Sequence, residues 1–157
     1  MSLRLSCEIG LIVLDEVKKS LPVPTSNIVV SPQTRFRFSE LFLETSEQHF
    51  KNSLVTERFD SFLDTKKINA MTPFGSNDKP LGVGPMAGIL HANLTHDIRI
   101  FYTVRDRNPH TVYLYFVATH DESGTVGGGR RSNIQKNWAK RIQNINKNEF
   151  GITETNN

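Results

Sequence analysis

The strongest constraint on the fold is a set of three β-rich stretches packed closely in the chain: Gly88 to Leu94, Asp97 to Val104 and Thr111 to Thr119. The connections between them are too short for a crossover, so the three runs must pair as an antiparallel meander. Asp106-Arg107-Asn108-Pro109 supplies turn chemistry between the last two. Upstream, Phe36 and Phe38 alternate with Arg35 and Arg37 and run on into Leu41, Phe42 and Leu43, which predicts a first strand over 35–44. Thr45 or Ser46 then caps a helix carrying Phe50 and Leu54. A second helix, Glu57 to Lys67, sets Phe59, Phe62 and Leu63 at i, i+3 and i+4. A Gly- and Pro-rich loop covers 70–88, and Ser132 or Asn133 caps a final helix. That helix gathers Ile134, Trp138, Ile142 and Ile145 on one side and Lys136, Lys140 and Lys147 on another. The expected class is α+β: a small antiparallel sheet packed on an N-terminal helical hairpin, with a C-terminal helix.

At 157 residues the chain has room for one domain with some decoration. The expected division is an extension over 1–33, a domain over 34–150 and a tail over 151–157. The first thirty residues fit a strand, through Leu3, Leu5, Cys7 and Ile9, as well as they fit a short helix around Leu11 and Leu14. No apolar run approaches the roughly 20 residues of a membrane-spanning helix, and Arg4 and Glu8 break the N-terminus as a secretory signal. The single cysteine, Cys7, reads as a small core residue in a reducing, cytoplasmic setting.

The formal charge of +3 is unevenly spread. Residues 126–148 carry Arg130, Arg131, Lys136, Lys140, Arg141 and Lys147 with no acid among them. Such a segment is either a solvated helix face or a surface that meets phosphates. Alternation along the second meander strand places Ile98, Ile100, Tyr102 and Val104 on the core face, leaving Arg99, Phe101, Thr103 and Arg105 on the other. Two guanidinium groups around an aromatic ring suit RNA, and equally describe a sheet face left in water. His120 sits where the last strand ends, beside a flexible turn, where general acid–base catalysis and a purely structural role are both open. Lys79 and His91 are neighbouring polar candidates. The paired motifs His96-Asp97 and His120-Asp121 invite a metal reading, but adjacent strand residues face opposite ways, and no metal or cofactor is expected.

The segments Lys79-Pro80-Leu81-Gly82, then Gly88 through Val104 with its Asp97-Ile98-Arg99-Ile100-Phe101-Tyr102-Thr103-Val104 run, then Val112 through Glu122, resemble the RelE/ParE superfamily of bacterial toxins. The resemblance runs from about residue 35 to 145. It implies a ribosome-dependent mRNA endonuclease that cuts without metal and stops translation. Arg99 would stabilise the charge on the phosphorane, His120 would protonate the departing 5′-oxygen, and Asp97 matches an acid used by some members. Lys79, His91, Phe101, Arg105, Arg130, Arg131, Lys136 and Lys140 would then contact RNA. The implied partners are mRNA on the ribosome and a cognate antitoxin, in a homodimer or a toxin–antitoxin hetero-oligomer. The alternative within the superfamily is a ParE-like inhibitor of DNA gyrase that performs no chemistry.

Overall fold

A single serine decides where the first strand stops. In the structure, a computed structural model that describes residues 28–30, 33–125 and 130–152, β2 covers only Thr34–Phe38. Ser39 is extended; its hydroxyl accepts from Phe42 N at 2.9 Å and donates to Tyr115 O at 2.6 Å. That cap starts helix α1, Glu40–His49, so Leu41, Phe42 and Leu43 are helical, contrary to the expected strand over 35–44. Thr45 and Ser46 lie inside the helix, where they cap nothing and donate back to the carbonyls of Leu41 and Leu43. Helix α2, Ser53–Ile68, begins earlier than Glu57 because the Asn52 side chain accepts from Leu54 N.

The remaining elements are β1 (Ile28–Val30), β3 (Lys79–Pro80), β4 (Leu90–Asn93), β5 (Ile98–Arg105), β6 (His110–Thr119), the short helix α3 (His120–Ser123) and α4 (Arg130–Ile145), which ends in a π-helical turn, Asn146–Phe150. Among the described residues the sheet has six strands in the order β1-β2-β6-β5-β4-β3. The expected meander is present as β4-β5-β6. The sheet as a whole is not purely antiparallel, because β2 lies parallel to β6, Phe36 opposite Val112. Parallel neighbours need a long crossover, and the chain from α1 to β5 supplies it. Ile28–Val30, within the segment read as an extension, pairs antiparallel with β2.

Both sheet faces are covered. On one, α1 and α2 bury Phe42, Phe59 and Phe62 against Phe36, Tyr102 and Leu114, each such ring contributing about 1.5–3 kcal/mol by burial. On the other, α4 and the 81–89 loop bury Met86, Phe101, Phe116 and Ile142. A register shift lets one strand serve both layers: Phe101 opposes Phe116 while Tyr102 opposes Leu114, so Tyr115 is an extra residue on β6. Tyr115 and Phe116 consequently both join the α4 layer while Leu114 and Val117 join the other. Arg37 fastens the C-terminal turn, donating to the carbonyls of Phe150 at 2.9 Å and Glu149 at 3.0 Å.

Tyr102 also belongs to a buried polar cluster that sequence reasoning did not foresee. Lys66 Nζ lies 2.8 Å from Asp78 Oδ2, and both side chains are 2% exposed. Lys66 also donates to Thr72 O at 2.6 Å, while Asp78 accepts from Phe74 N at 2.6 Å and from the Tyr102 hydroxyl. No helix of the described residues is long and apolar enough to cross a membrane. Cys7 and Gly127 to Gly129 lie outside the described residues, as do 1–27 and the tail from 153 onward.

Candidate functional site

The register of the short strands gathers a basic group at one end of the α4-side face. Lys79 opposes His91, His91 opposes Phe101, Asn93 opposes Arg99, and Arg99 opposes Ala118, two residues before His120. Arg99 is half-buried and held on two sides: Nε donates to Asn93 Oδ1 at 3.0 Å and Nη1 to Thr125 Oγ1 at 3.0 Å. Burial draws its guanidinium below the ordinary value, and it remains a cation.

His120 directly follows β6, as the strand boundary at Thr119 predicts, and is the first residue of α3. Thr119 caps that helix by accepting from Glu122 N at 3.1 Å, and Glu122 Oε2 returns the bond by accepting from Thr119 N at 2.8 Å. His120 N donates to Asp97 O at 3.1 Å. A hydroxyl relay connects it to Arg99: Ser123 Oγ donates to His120 O at 3.0 Å and lies 2.8 Å from Thr125 Oγ1, the group Arg99 binds.

The histidines of this group are the polar atoms left open. His120 Nε2 and His91 Nδ1 are buried with no hydrogen-bond partner among the described residues. Burial first, then the Arg99 charge, lowers both: His91 falls to about 4, and His120 lies below its ordinary 6.5 although Asp97 and Asp121 pull it back up. Both rings are therefore neutral at pH 7. The arrangement offers one fixed cation beside neutral imidazoles, a combination that can hold an anion and exchange protons with it. His96 places its ring 6.5 Å from His120, and among the described residues no three His, Cys, Asp or Glu side chains are grouped to hold a metal ion.

The expected residues thus divide. Arg99, His120, His91, Lys79 and Asp97 meet at this end of the sheet; Lys79 and Asp97 are exposed, and His91 is only 5% exposed. Phe101 is corrected: it is fully buried, stacked 4.5 Å from Phe116, which in turn stacks 4.0 Å from Trp138. Its ring faces the way alternation predicted, but α4 covers that face, so it has no free surface for a base. Arg105 is exposed yet six residues along β5, about 20 Å from Arg99 at the usual strand rise. It lines a separate groove of about 360 Å³ with Thr103, Met86 and Gln143. Lys136 and Lys140 are exposed on α4, whose first half is tied to the α3 turn by Trp138 Nε1 to Glu122 O at 2.8 Å and Gln135 Nε2 to Gly124 O at 2.7 Å. Arg130 and Arg131 open α4, and their side chains lie outside the described residues. Asn93, Ser123 and Thr125 were missed. Thr119-x-x-Glu122 was legible as a capping box, and it would have placed a helix start at His120.

No protein-family model matches the chain, and no curated protein matches it. Among solved structures it is similar to a YoeB/ParE toxin from Agrobacterium tumefaciens, with a TM-score of 0.44 and 16% identity over 54% of this chain and 96% of that one.

Proposed function

We propose that this chain is a toxin-type endoribonuclease that cuts mRNA on the ribosome without metal and is restrained by a cognate antitoxin. The observation that carries the reading is the meeting of Arg99, fixed by Asn93 and Thr125, with a His120 Nε2 that has no hydrogen-bond partner among the described residues, at one end of the sheet. RNA cleavage of this kind needs a cation at the phosphorus, an acceptor for the 2′-hydroxyl proton and a donor for the 5′-oxygen. Arg99 supplies the first, where preorganised charge is worth about 3 kcal/mol in the transition state.

The lowered pKa of His120 bears on how the proton roles divide. In the free protein it is neutral; an RNA phosphate bound at Arg99 brings a negative charge that raises the imidazole and protonates it. His120 then donates to the departing 5′-oxygen, and the exposed carboxylate of Asp97 accepts the 2′-hydroxyl proton. Because kcat/KM reports the free protein, it should fall as pH rises through a pKa below 6.5. A rise over the same range would make His120 the base instead.

The exposed Lys136 and Lys140 face of α4 suits the ribosomal RNA and the acidic segment of an antitoxin. His120→Gln should reduce cleavage of ribosome-bound mRNA at least a hundredfold while the protein stays folded. Equal cleavage by the variant sinks the assignment. Induced expression separates the superfamily's two activities: an immediate stop in protein synthesis supports cleavage, and a stop in DNA replication supports gyrase inhibition.

A further inference from the structure

Helix α1 ends beside the candidate site, and its last residue reaches into it. His49 Nε2 lies 3.1 Å from Glu122 Oε2, the same oxygen that accepts from Thr119 N at 2.8 Å. Glu122 therefore joins a helix of the opposite sheet layer to the capping box in which His120 is the first helical residue. His49 is the more buried of the two, with 11% of its side chain exposed against 43% for Glu122, so the histidine is the fixed post and the carboxylate the tether.

We propose that His49 is a positioning residue for His120. It touches no substrate; it holds Glu122, Glu122 closes the bond to Thr119 N, and that closure sets the direction in which the His120 ring leaves the backbone. The opposite end of α3 is fixed independently by Ser123 and Thr125. The turn is thus gripped on both sides, through α1 and through Arg99. A four-residue helix has too few internal bonds to hold its own geometry, so external partners fix it. The role rests on the cleavage reading above for its catalytic consequence, whereas the ring's orientation can be measured without it.

The test compares the full chain with His49→Ala, His49→Gln, Glu122→Ala and the double Ala variant. Single-turnover cleavage of a short mRNA on purified ribosomes gives the maximal rate and half-saturating concentration, and NMR follows the His120 ring protons. His49→Ala should lower the maximal rate about tenfold with half-saturation unchanged, the size of loss typical when a supporting group is removed. His49→Gln, which keeps a donor, should recover most of it. The double variant should be no slower than Glu122→Ala alone, because both act through one contact. Additive losses, or His120 ring signals unmoved in His49→Ala, would overturn the proposal. A wild-type protein that cuts no mRNA would overturn the cleavage reading instead, while the ring signals still decide whether His49 positions His120.

Discussion

The two faces of the sheet carry two polar clusters built on opposite rules. Under α2, Lys66, Asp78 and Tyr102 are buried, and the ammonium and carboxylate each meet several partners. On the α4 side, Arg99 is half answered, and His91 and His120 keep buried ring nitrogens without partners among the described residues. A closed network spends its hydrogen-bonding capacity on holding the chain together, here by anchoring the 72–78 loop to α2 and β5. An open one keeps capacity for something that is not part of the chain. Variants on the two sides should therefore fail differently, the first in stability and the second in activity.

The largest effect belongs to the closed cluster. Lys66→Met leaves the Asp78 carboxylate buried without its cation, which costs about 3–5 kcal/mol. Urea unfolding should show the midpoint falling accordingly, and a loss under 1 kcal/mol would mean that the cluster is not closed in solution. Burial and the Asp78 carboxylate hold the Tyr102 phenol well above its ordinary range, so that hydroxyl stays a donor throughout accessible pH.

Arg99→Met should invert the pattern. Cleavage falls by a factor of about 10² to 10³, the loss of one preorganised cation, while stability shifts by only about 1 kcal/mol for two half-buried hydrogen bonds. A rate loss matched by an equal loss of stability would erase the distinction between the clusters.

The α4-side cluster should still leave a mark on stability through pH. His91 binds protons near 6.5 when unfolded and only near 4 when folded, so the unfolded state holds more protons between those values. Stability is then full above about pH 6.5 and falls as pH drops toward 4. Between pH 7 and 5 the loss amounts to up to about 2 kcal/mol, and His91→Gln should flatten most of it. His120, lowered in the same direction, contributes the residual slope. Thermal unfolding of both proteins over that range checks the sign.

Much of this contrast was legible in the sequence, but not its boundaries. Alternation correctly put Ile100 and Tyr102 opposite Arg99 and Phe101, because period-2 patterning depends only on strand geometry. It failed to reveal that Phe101 is covered, since the pattern reports which way a ring points and not what packs over it. The first strand was overextended because Leu41, Phe42 and Leu43 suit a strand or a buried helix, and Ser39's cap, which needs Tyr115 as a distant partner, decides between them. Parallel pairing of β2 with β6 is a long-range choice with no local signature. Nor could the closed cluster be read: Lys66 sits where a solvated helix lysine would sit, and only the fold of the 70–88 loop brings Asp78 to it.

Thr111 offers the smallest and sharpest test. Its hydroxyl is fully buried on β6 with no partner among the described residues, like the histidine nitrogens, yet it lies opposite Arg105 at the far end of the same sheet face. If open polar groups mark a site only where charged and titratable groups converge, this one is a plain energetic cost. Thr111→Val keeps the shape and β-preference while removing the unsatisfied group, so it should stabilise the fold by about 0.5 kcal/mol and leave cleavage unchanged. Urea midpoints resolve a change of that size. A destabilisation instead would show that the hydroxyl is satisfied in solution, and a loss of cleavage would extend the site along β5 and β6 toward the Arg105 groove.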